Sequence, residues 1–303
     1  VIHPLDPEDR TGVDLDMRGV VPRGTTRLHL GLVGFRQGSI LSGLGRKLAW
    51  MTIHGDDTRM ASPDAESAAP PIFSLRGVSK AFDGRPVLRG LDLDIPTGGT
   101  LVVMGPSGCG KSVMLKHLVG LLRPDAGTVR FHGDRIDDLD ERRLVPIRRR
   151  IGFLFQQAAL FDSLTVRENV AFPLRETGQA GPDLEDRVRT TLARVGLEDA
   201  LDRMPAELSG GMRKRVGLAR AIVLEPEVVL YDEPTTGLDP IRANVINDLI
   251  VRLQADLAIT SVVITHDLDS AFQVADRMVL LHEGKVRDRK STRLNSSHTV
   301  ISY

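Results

Sequence analysis

The chain has 303 residues, in which forty Lys and Arg balance forty Asp and Glu, enough for one large domain or two modest ones. Zero formal charge speaks against a dominant polyanionic partner, and an aromatic content of 4% speaks against base-stacking platforms or a membrane-interface belt. The single cysteine, Cys109, excludes an internal disulfide framework, and no run reaches the roughly 18 nearly uncharged apolar residues of a membrane span.

Residues 1 to 59 carry no sustained strand or helix period. The most apolar part, Leu28 to Trp50, is interrupted by glycines, Arg36, Arg46 and Lys47, so it reads as upstream-translated sequence, with a short amphipathic segment as the alternative. Met60 precedes Ala-Ser-Pro-Asp-Ala-Glu-Ser-Ala-Ala-Pro-Pro, the composition of a disordered leader. Met60, or else Met51, reads as the start, and residues 1–71 fall outside the predicted domain. From there elements follow densely. Ile72 to Val78 and Val87 to Ile95 alternate as strands around Asp83-Gly84, and Leu101 to Met104 is a short apolar strand. Val113 to Leu122 has helical spacing and stops near Pro124. Val129 to His132 and Ile151 to Phe155 read as strands, Asp183 to Val195 and Met212 to Leu224 as helices. Val228 to Tyr231 and Ser261 to Thr265 are buried-strand runs joined by a helix from Ile241 to Leu257, and Met278 to His282 closes the series. Short apolar strands alternating with helices predict an α/β fold: a mainly parallel sheet covered on both faces, beside a small antiparallel sheet. The folded domain is expected over 72–287. Asp288 to His298 has neither packing period nor cap logic and reads as a translated sequencing adapter, so 288–303 is set aside.

Gly105-Pro106-Ser107-Gly108-Cys109-Gly110-Lys111-Ser112 fits the phosphate loop Gly-x-x-x-x-Gly-Lys-Ser, with a strand before it and a helix after it. Its glycines let successive N–H groups face one anion, and the helix N-terminus adds partial positive charge. Lys111 is expected to reach the β- and γ-phosphates of ATP, and the Ser112 hydroxyl to ligate Mg2+. Cys109 reads first as a small side chain filling space in the loop; as the alternative, the same N–H groups and Lys111 depress its pKa, with alkylation linked to nucleotide occupancy. Asp232, ending Val228 to Tyr231, is placed to hold the metal directly or through water, and Glu233 to polarise the attacking water. Leu208-Ser209-Gly210-Gly211-Met212 opens a helix with a second anion-binding turn. Since one domain's own loop already holds its γ-phosphate, that turn makes most sense capping nucleotide on another copy.

These motifs, together with Gly237-Leu238-Asp239, stand in the order and spacing of the ATP-binding-cassette ATPases, which the chain resembles from about 72 to 287. The resemblance implies a P-loop NTPase domain with a small antiparallel β subdomain and a helical signature subdomain at about 160–225. It implies that Phe82 stacks on adenine and that Gln156 senses Mg2+ and lytic water, although Gln157 adjoins it and the register rests on Phe155-Gln156. It further implies that Asp239 crosses a dimer interface and that His266 contacts the γ-phosphate and orders Glu233. Ser209, Gly210 and Gly211 would bind the nucleotide of the partner copy. Within the family, Ala159 to Val166, Glu168 to Arg175 and Ser209 to Arg215 are most similar to the ATPase subunits of bacterial phospholipid transport (Mla, mce-type). Such subunits are head-to-tail homodimers on the cytoplasmic side of the inner membrane. They bind an integral-membrane permease, and through it a periplasmic mce-type lipid-binding protein. Phe153 to Leu174 would then line the groove receiving the permease. Two other readings remain: a subunit for a polar solute such as an amino acid, and a non-transport cassette acting on nucleic acid or ribosomes. Nucleic acid is not expected, because neither a second cassette nor a coiled-coil insertion is present. The cluster Arg142, Arg143, Arg148, Arg149 and Arg150 reads first as a solvated face.

Overall fold

The structure, a computed structural model, describes residues 70–291. The readings of residues 1–69, and of those beyond 291, fall outside the described residues. Strands β1 (Phe73–Phe82) and β2 (Arg85–Ile95) pair antiparallel across Asp83-Gly84. On its other edge β1 pairs with β4 (Ala126–Phe131), which pairs with β5 (Asp134–Arg135), giving a four-stranded antiparallel sheet in the order β2-β1-β4-β5.

The larger sheet is built from β3 (Thr100–Met104), β6 (Ile151–Leu154), β7 (Val228–Asp232), β8 (Thr260–Ile264), β9 (Arg277–His282) and β10 (Lys285–Ser291). Their order is β10-β9-β3-β8-β7-β6, parallel except for the antiparallel edge strand β10. Because successive strand residues face opposite sides, each central strand feeds two cores. Leu101, Val103, Leu230, Val262 and Ile264 pack with the antiparallel sheet and helix α1 (Lys111–Leu118). Val102, Val229, Tyr231 and Val263 pack on the other face with α3 (Val166–Glu176), α4 (Pro182–Arg194), α5 (Gly210–Ile222) and α6 (Pro240–Leu257). Burial on both sides is why these strands read as unbroken apolar runs.

Three helices lie where periodicity gave none: α2 (Glu141–Arg148), α3, and α7 (Leu268–Val274). The first two carry Pro146 and Pro173 inside them, and α7 spans two turns, so none shows a long uninterrupted period. The entry to α3 was nevertheless legible. The Thr165 side chain accepts from the Glu168 N–H, and the Glu168 carboxylate accepts from the Thr165 N–H, a complete capping box. Helix α1 begins at Lys111 and stops at Leu118, short of the expected Leu122, because Gly120 turns to φ 65°. At the C-terminal end β10 runs past the expected boundary at 287: the backbone from Asp288 to Ser291 pairs with Leu280 to Arg277. A ladder draws on main-chain groups, so a segment without a packing period satisfies it. Among the described residues no helix is long and apolar enough to cross a membrane.

The candidate nucleotide site

The phosphate loop, Gln156, Asp232, Glu233 and His266 sit at or just past the C-terminal ends of the parallel strands β3, β6, β7 and β8, where this kind of sheet places its ligands. The loop leaving β3 curls back so that Lys111 Nζ donates to the Gly105 carbonyl at 2.7 Å and the Pro106 carbonyl at 3.1 Å. Gly105, at φ 155°, has no room for a side chain: a Cβ would lie 2.2 Å from the Leu281 carbonyl oxygen. Gly110 caps α1 at φ 105°, a conformation that disfavours any L side chain. Around the loop lies a cavity of about 450 Å³ whose lining includes Ser107, Lys111, Ser112, Gln156, Glu233 and His266, drawn from four separate segments of the chain.

Ser112 Oγ donates to Asp232 Oδ1 at 2.9 Å. Burial pushes the Asp232 carboxyl above its ordinary value, opposed by that hydrogen bond. Two hard oxygens side by side at the phosphate loop suit Mg2+, which binds few protein carboxylates and completes its shell with phosphate oxygens and water. Among the described residues no cluster of three or more His, Cys, Asp or Glu could hold a metal without such help. The donor set therefore fits a nucleotide-borne Mg2+.

Glu233 follows β7 in the left-handed region, at φ 51°. That turn lifts its carboxylate out of the strand, where Oε2 accepts from His266 Nδ1 at 2.9 Å and from Thr236 Oγ1 at 3.1 Å. Its N–H donates to the Ile264 carbonyl at 3.0 Å, tying the turn to β8 and so to His266 two residues on. Thr236 and Lys214 are contacts that motif reading missed; Lys214 lay inside a basic run, and only its burial sets it apart. Gln156 lines the phosphate-loop cavity, Gln157 does not, and both line a second cavity next to it.

The remaining candidates stand elsewhere. Ser209 caps α5, its Oγ accepting from the Met212 N–H at 3.3 Å, and neither it, Gly210 nor Gly211 lines the phosphate-loop cavity. Asp239 caps α6 through the Arg242 N–H at 3.0 Å. Phe82 is exposed at the end of β1, with Lys80 Nζ 5.7 Å from its ring centroid, and lies outside that cavity's lining. An open cavity of about 370 Å³ is lined by Phe153, Phe155, Phe161 and Phe172 together with Arg149 and Arg220, the Arg220 guanidinium lying 5.6 Å from the Phe161 ring centroid. The arginine cluster is largely committed: Arg148 pairs with Glu141, Arg150 with Glu227, and Arg149 donates to the Glu176 carbonyl.

One expectation is corrected. Cys109 is buried, and desolvation pushes its thiol above the ordinary value despite Lys111 and the loop N–H groups. The thiol therefore stays protonated near neutral pH. Alkylation of the native protein is expected to run at least about tenfold slower than that of the denatured chain, followed with a chromogenic thiol reagent in buffer and in urea.

A phosphate loop, an aspartate at the end of the neighbouring strand, and a Glu–His pair around one cavity define a nucleotide-binding ATPase domain of the P-loop class. A family model described as ABC transporter matches residues 88–236. The chain is 43% identical over 210 residues to the probable ribonucleotide transport ATP-binding protein mkl of Mycobacterium leprae (strain TN), spanning 69% of this chain and 60% of that protein. It is 40% identical over 222 residues to the intermembrane phospholipid transport system ATP-binding protein MlaF of Escherichia coli (strain K12), spanning 73% and 82%. It is 39% identical over 220 residues to the methionine import ATP-binding protein MetN 1 of Acinetobacter baylyi, spanning 71% and 62%. The dimeric, ADP- and Pi-bound ATP-binding cassette MJ0796 superposes with a TM-score of 0.68 at 35% identity, covering 73% of this chain and 99% of that one. The chain belongs to the ABC transporter family, as an ATP-binding-cassette ATPase domain. It spans about 60% of the length of the mycobacterial relative.

Proposed function

We propose that this chain is the ATP-hydrolysing subunit of a transporter that moves phospholipid or a related hydrophobic lipid through a separate permease. The carrying observation is the split between two anion-binding turns. Lys111, Ser112, Asp232, Glu233, His266 and Gln156 converge on one cavity or its edge, while Ser209 to Gly211 stand outside it. A head-to-tail homodimer brings them together, so that each phosphate loop is closed by the Ser209 turn of the partner. Gln156 and Asp239 then lie where the two copies meet, and Phe82 offers its exposed ring to adenine.

In this reading Ser112 and Asp232 hold Mg2+, which supplies charge neutralisation to the phosphate oxygens when bound. Lys111 and the loop N–H groups orient the γ-phosphoryl group and stabilise charge as it grows on the equatorial oxygens. Glu233 accepts the proton of the attacking water, and His266 fixes the carboxylate by donating to Oε2. Closure of the dimer excludes bulk water and strengthens each of these contacts. The aromatic groove over Phe153 and Phe161 receives a segment of the permease, which holds the subunit on the cytoplasmic face of the inner membrane. An mce-type periplasmic protein would supply or take the lipid. Lipid cargo draws support from the likeness to MlaF across most of that protein's length. The likeness to MetN 1 keeps a polar solute such as an amino acid as the second reading, with identical phosphate chemistry.

Three measurements test this. Purification of the chain with its membrane partner, followed by mass spectrometry, is expected to return a permease and bound phospholipid; recovery of an amino-acid permease without lipid would favour the second reading. Ser209→Ala is expected to leave the ATP affinity of the single subunit within about twofold and to lower turnover about 10²–10³-fold, the effect of removing one donor from a developing anion. Wild-type turnover per chain that did not rise with protein concentration would overturn the composite site.

A further inference from the structure

Helix α5 carries a lysine that this mechanism does not use. Lys214 is 5% exposed, and among the described residues no carboxylate forms an ion pair with it. Its ammonium donates instead to two main-chain carbonyls, those of Gln156 and, at 3.2 Å, Glu233. Burial lowers its pKa, and the charges of Asp232 and Glu233 oppose that shift. A buried cation spent on two peptide oxygens is costly to keep unless the placement of those peptides matters.

Both peptides belong to the candidate machinery. The Glu233 peptide is in the left-handed region, at φ 51°, and precedes Pro234, a combination that the chain does not adopt without outside support. Its N–H is held by β8 through Ile264 and its carboxylate by His266 and Thr236. Its carbonyl is held by Lys214. The Gln156 peptide follows β6 and belongs to a residue that lines the phosphate-loop cavity. Lys214 itself stands one turn into the helix that Ser209 caps. One ammonium therefore joins the glutamine loop, the Glu233 turn and the signature helix. Gln156, Lys214 and Thr236 also border a second cavity, of about 430 Å³, so without the ammonium the Gln156 carbonyl would be open to water and lose its tie to α5.

We propose that Lys214 is a positioning residue for hydrolysis: it sets the Glu233 carboxylate and the Gln156 side chain relative to the signature helix, and acts on turnover rather than on nucleotide binding. This rests on the reading of the site as an ATPase centre with Glu233 as its base.

The test uses the full chain with ATP and Mg2+. Lys214→Met, which keeps the length of the side chain and removes the charge, is expected to lower kcat about 30–100-fold while KM and the nucleotide Kd stay within about twofold; Lys214→Arg, which retains donors for both carbonyls, is expected to recover most of that loss. In a Glu233→Gln background Lys214→Met is expected to cost almost nothing further, because two residues acting through one function are non-additive. Should Lys214→Met fail to show a cooperative thermal transition, Lys214→Gln, which keeps one neutral donor, is measured in the same way. Wild-type kcat in the folded variant overturns the proposal. So do a rise in KM that accounts for the loss, or losses that multiply in the double variant. Absence of Mg2+-dependent ATP hydrolysis by the wild-type chain would overturn the underlying reading, and this inference with it.

Discussion

Glu233→Gln is expected to bind ATP and Mg2+ within about twofold of the wild type while turnover falls about 10²–10⁴-fold, the range contributed by a positioned general base. The geometry separates the two effects. The Glu233 side chain is 12% exposed, and its Oε2 accepts from both His266 and Thr236. A glutamine keeps one acceptor oxygen there, so the turn at φ 51° and its bond to Ile264 survive. What disappears is the negative charge that the proposed mechanism uses to accept a proton. With hydrolysis blocked and binding intact, ATP is expected to hold the variant as a dimer, visible as a doubled mass by light scattering that reverts when nucleotide is removed. Near wild-type turnover would remove Glu233 from the chemistry. Persistence of the monomer with ATP bound would remove the composite site.

Lys111→Ala is expected to act on the other side of that division, weakening ATP binding about 10–100-fold, as loss of a hydrogen bond to a charged group worth about 1.5–3 kcal/mol predicts. Lys111 is 7% exposed and already bridges the Gly105 and Pro106 carbonyls, so the ammonium is preorganised above the loop before any phosphate arrives. Little conformational entropy is then lost when it turns to the β- and γ-oxygens. Lys111→Arg is not expected to rescue, because the larger planar fork does not fit a buried site shaped around a compact ammonium. Thermal unfolding reads both variants: the stabilisation that ATP and Mg2+ confer on the wild type shrinks with affinity. An undiminished nucleotide-induced shift in Lys111→Ala would mean that the loop does not hold the triphosphate through this side chain.

How much of this was legible depended on whether the signal was local. The phosphate loop is contiguous, so its glycines, Lys111 and Ser112 announce themselves together, and Asp232 and Glu233 follow an apolar run that any buried parallel strand produces. The Cys109 expectation failed for the opposite reason. Its chain neighbours favour the thiolate, but the two packed sheets and α1 bury it, and desolvation outweighs the neighbouring charge. Helices α2 and α3 were hidden by their internal prolines, although the Thr165–Glu168 cap marked where α3 begins.

Sequence alone determined the class of chemistry, because a γ-phosphate site depends on residue types at short fixed intervals that survive in one dimension. It also determined which strands are central, since burial on both faces leaves an unbroken apolar run. Tertiary structure decided how the groups stand to one another: that His266 and Thr236 converge on one oxygen of Glu233, that Gln156 lines the phosphate-loop cavity while Gln157 does not, and that a lysine in a basic run is buried against two peptide carbonyls. These relations join Gln156 and Glu233, 77 residues apart in sequence, which follow the hydrogen-bonded neighbours β6 and β7 in the folded sheet. Only the parallel register of β6, β7 and β8 closes that gap, and no periodicity within any one segment encodes it.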